Sequence, residues 1–163
     1  MQPGQLPTFI IAGAQRSGTT SLYNVCDHHP DIYMAKPGFP EPKFFHVDPE
    51  YQKGVDYYSQ RYFAEAALFD IVGEKTANYL EYAHVAGRMR DALGDIKLVF
   101  ALRNPIERAY SNYVYSRSHG LETRKFDAAV RQESERETAY KGRMRYIRPF
   151  AYVSRDYSAP GHG

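Results

Sequence analysis

The residues best suited to chemistry in this chain form a glycine-bounded turn. Gly13-Ala14-Gln15-Arg16-Ser17-Gly18-Thr19-Thr20 has the glycine spacing of a phosphate-binding loop, G-x4-G-K-[ST]. In such a loop, curled backbone N–H groups converge on an anion at a helix N-terminus. The bland alternative is an ordinary glycine turn between a strand and a helix. Thr19 stands where a nucleoside triphosphatase needs its lysine, and the cation is Arg16, inside the loop. No strand ends in an aspartate that would hold magnesium. A loop of this kind suits one phosphate with a neighbouring anionic group better than a triphosphate. A nucleotide-kinase reading therefore stands second. Further along, Arg103 and Ser111 lie eight residues apart. An arginine fork bonds a phosphate in bidentate fashion, and a hydroxyl two helical turns on adds a donor. Taken singly, Arg103 reads better as a salt bridge and Ser111 as a plain helix residue.

The elements that must position these residues follow from apolar pattern and punctuation. Phe9-Ile10-Ile11-Ala12 reads as a strand entering the loop, and the hydroxyl-rich run from Thr19 opens a helix that stops near His28-His29-Pro30. With Pro37, Pro40, Pro42 and Pro49, residues 36–50 read as irregular. The tyrosine-rich run 51–63 reads as partly helical. Ile71-Val72-Gly73-Glu74-Lys75 is a second buried strand, and 84–93 a helix capped by Gly94. Residues 97–102 make the clearest strand, and Pro105 opens a helix running to about Ser118. An amphipathic helix is expected from Phe126 to about Tyr140. Strands alternating with helices imply an α/β fold, a P-loop-like parallel sheet flanked by helices. Residues 1–163 read as one domain, with 143–163 an irregular tail in which nothing resembles a closing strand or helix.

Gly13-Ala14-Gln15-Arg16-Ser17-Gly18-Thr19-Thr20-Ser21-Leu22 resembles the 5′-phosphosulfate loop of sulfotransferases, which use 3′-phosphoadenosine 5′-phosphosulfate. The run from Arg103 to Tyr113 resembles the family's second signature, an arginine ending a strand and a serine eight residues later on a helix. Glu41-Pro42-Lys43-Phe44-Phe45 and Gly73-Glu74-Lys75-Thr76-Ala77-Asn78-Tyr79 look like segments of heparan sulfate N- and 3-O-sulfotransferases. The resemblance covers residues 9–130, and those enzymes continue well past the end of this chain. It implies that Gln15, Arg16, Ser17, Gly18, Thr19, Thr20 and Ser21 bind the phosphosulfate, and that Arg103 and Ser111 grip the 3′-phosphate. Glu41 matches the catalytic carboxylate, with burial beside Phe44 and Phe45 as a means of raising its basicity. Arg16 replaces the lysine that stabilises the leaving phosphate; arginine keeps the charge but donates no proton. Lys75 matches a lysine near acceptor and sulfate, the alternative being a salt bridge to Glu74 or Asp70. The acceptor is a hydroxyl or amine, with a carbohydrate the leading guess, and the chemistry requires no metal. The non-enzymatic alternative is a truncated nucleotide-binding fragment without turnover.

Other residues rank lower. His46 and His119 are reserve acid–base candidates, the latter reading as a helix-end residue. Cys26 reads as packed. The tyrosines at 51, 57, 58, 62, 79 and 82 read as core before they read as a sugar-stacking surface. Composition sets the outer bounds. The 163 residues are 43% hydrophobic and 25% charged, with 15 Tyr, 9 Phe and a net charge of +2, which describes a globular protein. Residues 103–155 hold 12 Lys/Arg against 6 Asp/Glu, a bias toward anionic ligands, but no nucleic-acid motif accompanies it. One cysteine excludes an internal disulfide and a cysteine-rich zinc site. The N-terminus lacks a secretory signal and no apolar run is long enough to span a membrane, so a cytoplasmic address is expected. An incomplete sheet would leave an unpaired edge that invites homodimerisation.

Overall fold

A computed structural model describes residues 5–132. The chain divides into two compact units, with the boundary between Leu102 and Arg103. The first unit is built on four parallel strands, β1 (Phe9–Gly13), β2 (Ile32–Met34), β3 (Ile71–Lys75) and β4 (Lys97–Phe100), in the order β2-β3-β1-β4. Ile10 pairs with Glu74 and Leu98, and Ile11 with Lys75 and Val99. Helices α1 (Thr19–Asp27), α2 (Asp48–Tyr51), α3 (Gly54–Tyr62) and α4 (Ala83–Leu93) connect the strands. The chain leaving β1 runs toward β2, whereas the chain leaving β3 crosses to β4 on the other side of β1. Neighbouring strands with oppositely directed connections open a crevice at their carboxyl ends, where α/β sheets bind ligands.

Strand alternation sorts β1 between two cores. Ile10 and Ala12 enter a large cluster with Phe44, Phe45, Tyr58, Tyr79 and Val85, on the face covered by α3 and α4. Ile11 faces the opposite way, into a smaller cluster with Tyr23 of α1 and Met34 of β2. Gly73 is required where β3 threads between its neighbours, because a Cβ there would lie 2.4 Å from Phe9 Cζ and 2.5 Å from Met34 Sδ.

Helix boundaries follow the punctuation. The first helix ends at Asp27, two residues before His29-Pro30, α4 ends at Gly94 in a left-handed φ of 68°, and Pro105 opens α5 (Pro105–Ser118) in the second unit. The Asn104 side chain caps α5 by accepting from the N–H groups of Ile106 and Glu107. Within the expected helix from Phe126, the described part is α6 (Phe126–Arg131); residues 133–163, including the expected irregular tail, lie outside the described residues. Two elements exceed the sequence expectation. Helix α2 sits inside the proline-rich stretch, with Pro49 in its first turn, where the missing N–H costs nothing. Strand β2 has only three residues, too few for a period, and exists through its pairing with β3, Tyr33 opposite Val72.

Candidate active site

The phosphate loop joins β1 to α1 as the glycine spacing predicts. Backbone bonds from Ala14 N–H to Ala101 O (2.9 Å) and from Ala101 N–H to Gly13 O (2.8 Å) tie its entry to the strand next door. The turn then needs two left-handed residues, Arg16 at φ 61° and Gly18 at φ 89°. Glycine takes that conformation freely; for arginine it is uncommon and marks a held, functional turn. Helix α1 starts with no side-chain cap and no acidic residue in its first turn. Its leading N–H groups thus have neither an intrahelical nor a side-chain partner, and its positive dipole end is uncompensated. Ser17 Oγ is buried there without a hydrogen-bond partner. Thr19 is buried, while Arg16, Thr20 and Ser21 are exposed and Gln15 half-buried. An uncapped helix start with an orphaned hydroxyl and an adjoining guanidinium fits a bound phosphosulfate.

At the carboxyl end of β3, the structure brings together Glu41 and Lys75, residues 34 positions apart that the sequence reading left without a shared contact. Lys75 Nζ lies 2.8 Å from Glu41 Oε1, and Ala77 N–H donates to Glu41 Oε2 at 3.3 Å. Lys75 does not bridge to Glu74 or Asp70. Strand alternation turns Glu74 into the aromatic core and Lys75 to the α1 side, where its Nζ also lies 5.8 Å from the Tyr23 ring centroid. Lys75 is buried and Glu41 keeps 18% of its side chain exposed. Phe44 and Phe45 are both packed around Tyr58. Lys75 and Thr20 line one hollow of about 360 Å³, together with Tyr23, Asn24, Lys36 and Phe39. Lys75 and Thr20, the latter in the first turn of α1, thus face one hollow that runs along the side of that helix.

The second unit carries Arg103 and Ser111. Arg103 Nε donates to Glu107 Oε2 at 3.1 Å, an exposed i,i+4 pair, so the salt-bridge alternative for this arginine is present. Ser111 is half-buried on α5. His119 caps the end of α5, its Nδ1 2.8 Å from Tyr115 O, and His46 stacks on Tyr82 at 3.6 Å between centroids. Cys26 packs against the small cluster, and burial raises its thiol pKa. Tyr58, Tyr62 and Tyr79 are core residues, with Tyr51, Tyr57 and Tyr82 packed against them. Among the described residues, no group of His, Cys, Asp and Glu is placed to hold a metal ion, and no helix is long and apolar enough to cross a membrane.

One residue with a marked electrostatic signature escaped the sequence reading. Glu74 is fully buried, and desolvation raises its carboxyl to about 7. Its only sequence signal is a glutamate inside an apolar strand, which was weighed merely as a partner for Lys75.

A model of the sulfotransferase domain matches residues 6–154. The chain belongs to the sulfotransferase family. This sulfotransferase domain is 36% identical over 120 residues to the human bifunctional heparan sulfate N-deacetylase/N-sulfotransferase 2, covering 71% of the chain and 14% of that protein. It is 29% identical over 155 residues to the membrane-associated sulfotransferase kil1 of Dictyostelium discoideum, covering 89% of the chain and 32% of that protein. A solved sulfotransferase from Alicyclobacillus acidocaldarius superposes with a TM-score of 0.76 at 30% identity, over 91% of this chain and 63% of that one. The sulfotransferase domain described here thus spans under a third of those two relatives' length.

Proposed function

We propose that the protein transfers the sulfuryl group of 3′-phosphoadenosine 5′-phosphosulfate to a hydroxyl or amine of a glycan. The observation that supports this reading is Lys75, which is ion-paired to Glu41 and lines one hollow with Thr20 from the first turn of the uncapped helix α1. The loop N–H groups of residues 15–21 and the Arg16 guanidinium bind the 5′-phosphosulfate, and Arg103 with Ser111 binds the 3′-phosphate. Glu41 takes the proton of the acceptor O–H or N–H as that atom bonds to sulfur. The bond from sulfur to the bridging phosphate oxygen breaks, its electron pair leaves with the nucleotide, and Arg16 and the loop dipoles stabilise the charge. Lys75 holds Glu41 in one orientation and offers an ammonium to the sulfuryl oxygens. The bifunctional relative is named for heparan sulfate N-sulfation, which supports an amino sugar as acceptor here.

The test is transfer of radiolabelled sulfate from the donor nucleotide to a panel of desulfated oligosaccharides, amino sugars among them. Labelled product on an amine or hydroxyl acceptor is expected; labelling of none, by a protein that binds the nucleotide, would leave a binding domain without turnover.

A further inference from the structure

Glu74 sits where a strand interior calls for an apolar side chain, and its surroundings explain why a carboxylate is tolerated. Tyr58, from α3, donates its hydroxyl to Glu74 Oε2, and Thr76 Oγ1 donates to Oε1 at 2.6 Å. The Tyr79 hydroxyl also bears on the carboxyl. These hydroxyls point onward. Thr76 Oγ1 accepts the Lys43 N–H at 3.2 Å, and Tyr79 Oη accepts the Phe45 N–H at 3.3 Å. Lys43 and Phe45 belong to the segment that begins at Glu41. Lys43 is held at φ 52°, a conformation that a non-glycine residue keeps only under outside restraint. Two residues past the end of β3, Ala77 N–H donates to Glu41 itself.

We propose that Glu74 is a positioning residue for the transfer reaction: through the Thr76 and Tyr79 hydroxyls its carboxylate locks residues 41–45 in place, with Glu41 against Lys75. The proposal rests on the reading of Glu41 as the acceptor base. The logic is one of donors and acceptors. An ionised carboxylate only accepts, so the neighbouring hydroxyls point their protons inward, and those of Thr76 and Tyr79 leave their oxygens for a loop amide. A protonated carboxyl donates once and accepts less. Where Thr76 or Tyr79 receives that proton, the hydroxyl must turn its own proton away from the carboxyl, which disturbs the bond it accepts from the loop amide. The charged and titratable groups around Glu74 are Tyr58 and Tyr62 of α3, Tyr79 beyond β3, Glu41 of the loop and Lys75 on its own strand. Desolvation raises the carboxyl to about 7, so this switch falls at neutral pH. Below that value the loop loosens.

The test compares the full chain with Glu74→Gln, Thr76→Val and Thr76→Ser. Amide hydrogen exchange at Lys43 and Phe45 should rise about tenfold in Glu74→Gln, the equivalent of one lost hydrogen bond, while the Ile10 and Ile11 amides of β1 stay unchanged. Thr76→Val should free Lys43 alone, and Thr76→Ser should restore it. Affinity for 3′-phosphoadenosine 5′-phosphate should stay within about threefold in all variants. With a working acceptor, kcat should fall with donor KM unchanged, and the wild-type loss of rate below pH 7 should disappear in Glu74→Gln. Unaltered exchange at Lys43 and Phe45, a parallel rise in the β1 amides, or a loosened loop with full turnover would each overturn the proposal. If Glu74→Gln does not fold, Thr76→Val and Thr76→Ser decide it. A wild-type protein that binds no nucleotide would instead remove the sulfotransferase reading, whatever the exchange shows.

Discussion

Glu41 is held at both carboxyl oxygens, one by the Lys75 ammonium and the other by the Ala77 N–H. This grip fixes the orientation of the proposed base by protein groups alone, so binding and chemistry should separate on mutation. Glu41→Gln keeps the shape and loses the basicity. Transfer should fall by about 100-fold or more, the usual contribution of a placed base. Calorimetric affinity for 3′-phosphoadenosine 5′-phosphate should change by less than about threefold. Near-normal turnover would move the base elsewhere, with His46 next in line. Arg103 poses a different question because it is already paired with Glu107. An exposed pair of this kind contributes about 0–1 kcal/mol, little enough to be exchanged for a phosphate. Arg103→Ala should therefore weaken binding of the 3′,5′-bisphosphate and leave adenosine 5′-phosphate unaffected. Equal loss for both nucleotides would make the arginine structural.

At the scale of elements, β3 carries opposite chemistry on its two faces. Lys75 points to the α1 side and Glu74 to the aromatic core, a direct result of the two-residue strand period. The buried carboxyl leaves a mark on stability. Folded, Glu74 holds its proton up to about pH 7; unfolded, it loses it near the ordinary 4.5. Between those values the folded state binds more protons, so stability falls as pH rises from about 4.5 to about 7. The loss is on the order of 3 kcal/mol, and it should vanish in Glu74→Gln. Thermal melts of both proteins across that range check the sign: a wild-type curve parallel to the variant's would refute it. At pH 8 the glutamine variant should melt no lower than the wild type, despite its loosened 41–45 segment.

For the whole molecule, the proposed nucleotide binding would link function to folding stability. A ligand at one hundred times its dissociation constant stabilises by about 2.7 kcal/mol. In a chain of this size that corresponds to a rise of about 5–11 °C in Tm. Differential scanning with 3′-phosphoadenosine 5′-phosphate should show it, and ATP with magnesium should not; the reverse pattern would favour the kinase reading. The sheet also ends in a feature with a consequence for assembly. Strand β4 has β1 on one side and, among the described residues, no strand on the other, and its Leu98 and Phe100 are over 40% exposed. Unpaired edges of this kind are sites for strand addition.

The sequence alone determined what local chemistry dictates. The glycine spacing at 13 and 18, the apolar runs at 9–12, 71–75 and 97–102, and the punctuation at Pro30, Gly94 and Pro105 yielded three of the four strands, the last of them two residues too long, the ends of α1 and α4, the start of α5, and the glycine-bounded loop. These signals are legible because steric limits on glycine and proline and the burial of apolar runs act within a few residues. Tertiary structure decided what depends on neighbours distant in the chain. Strand β2 is too short to announce itself and forms because β3 offers a ladder. The tyrosines became core because α3 folds onto the sheet beside Phe44 and Phe45. Glu41 met Lys75 because the proline-rich segment returns to the end of β3, where backbone N–H and ammonium together satisfy a carboxylate. Glu74 acquired its surroundings in the same way: burial beside Tyr58 and Thr76 sets its partners and raises its carboxyl, and no spacing along the chain encodes that.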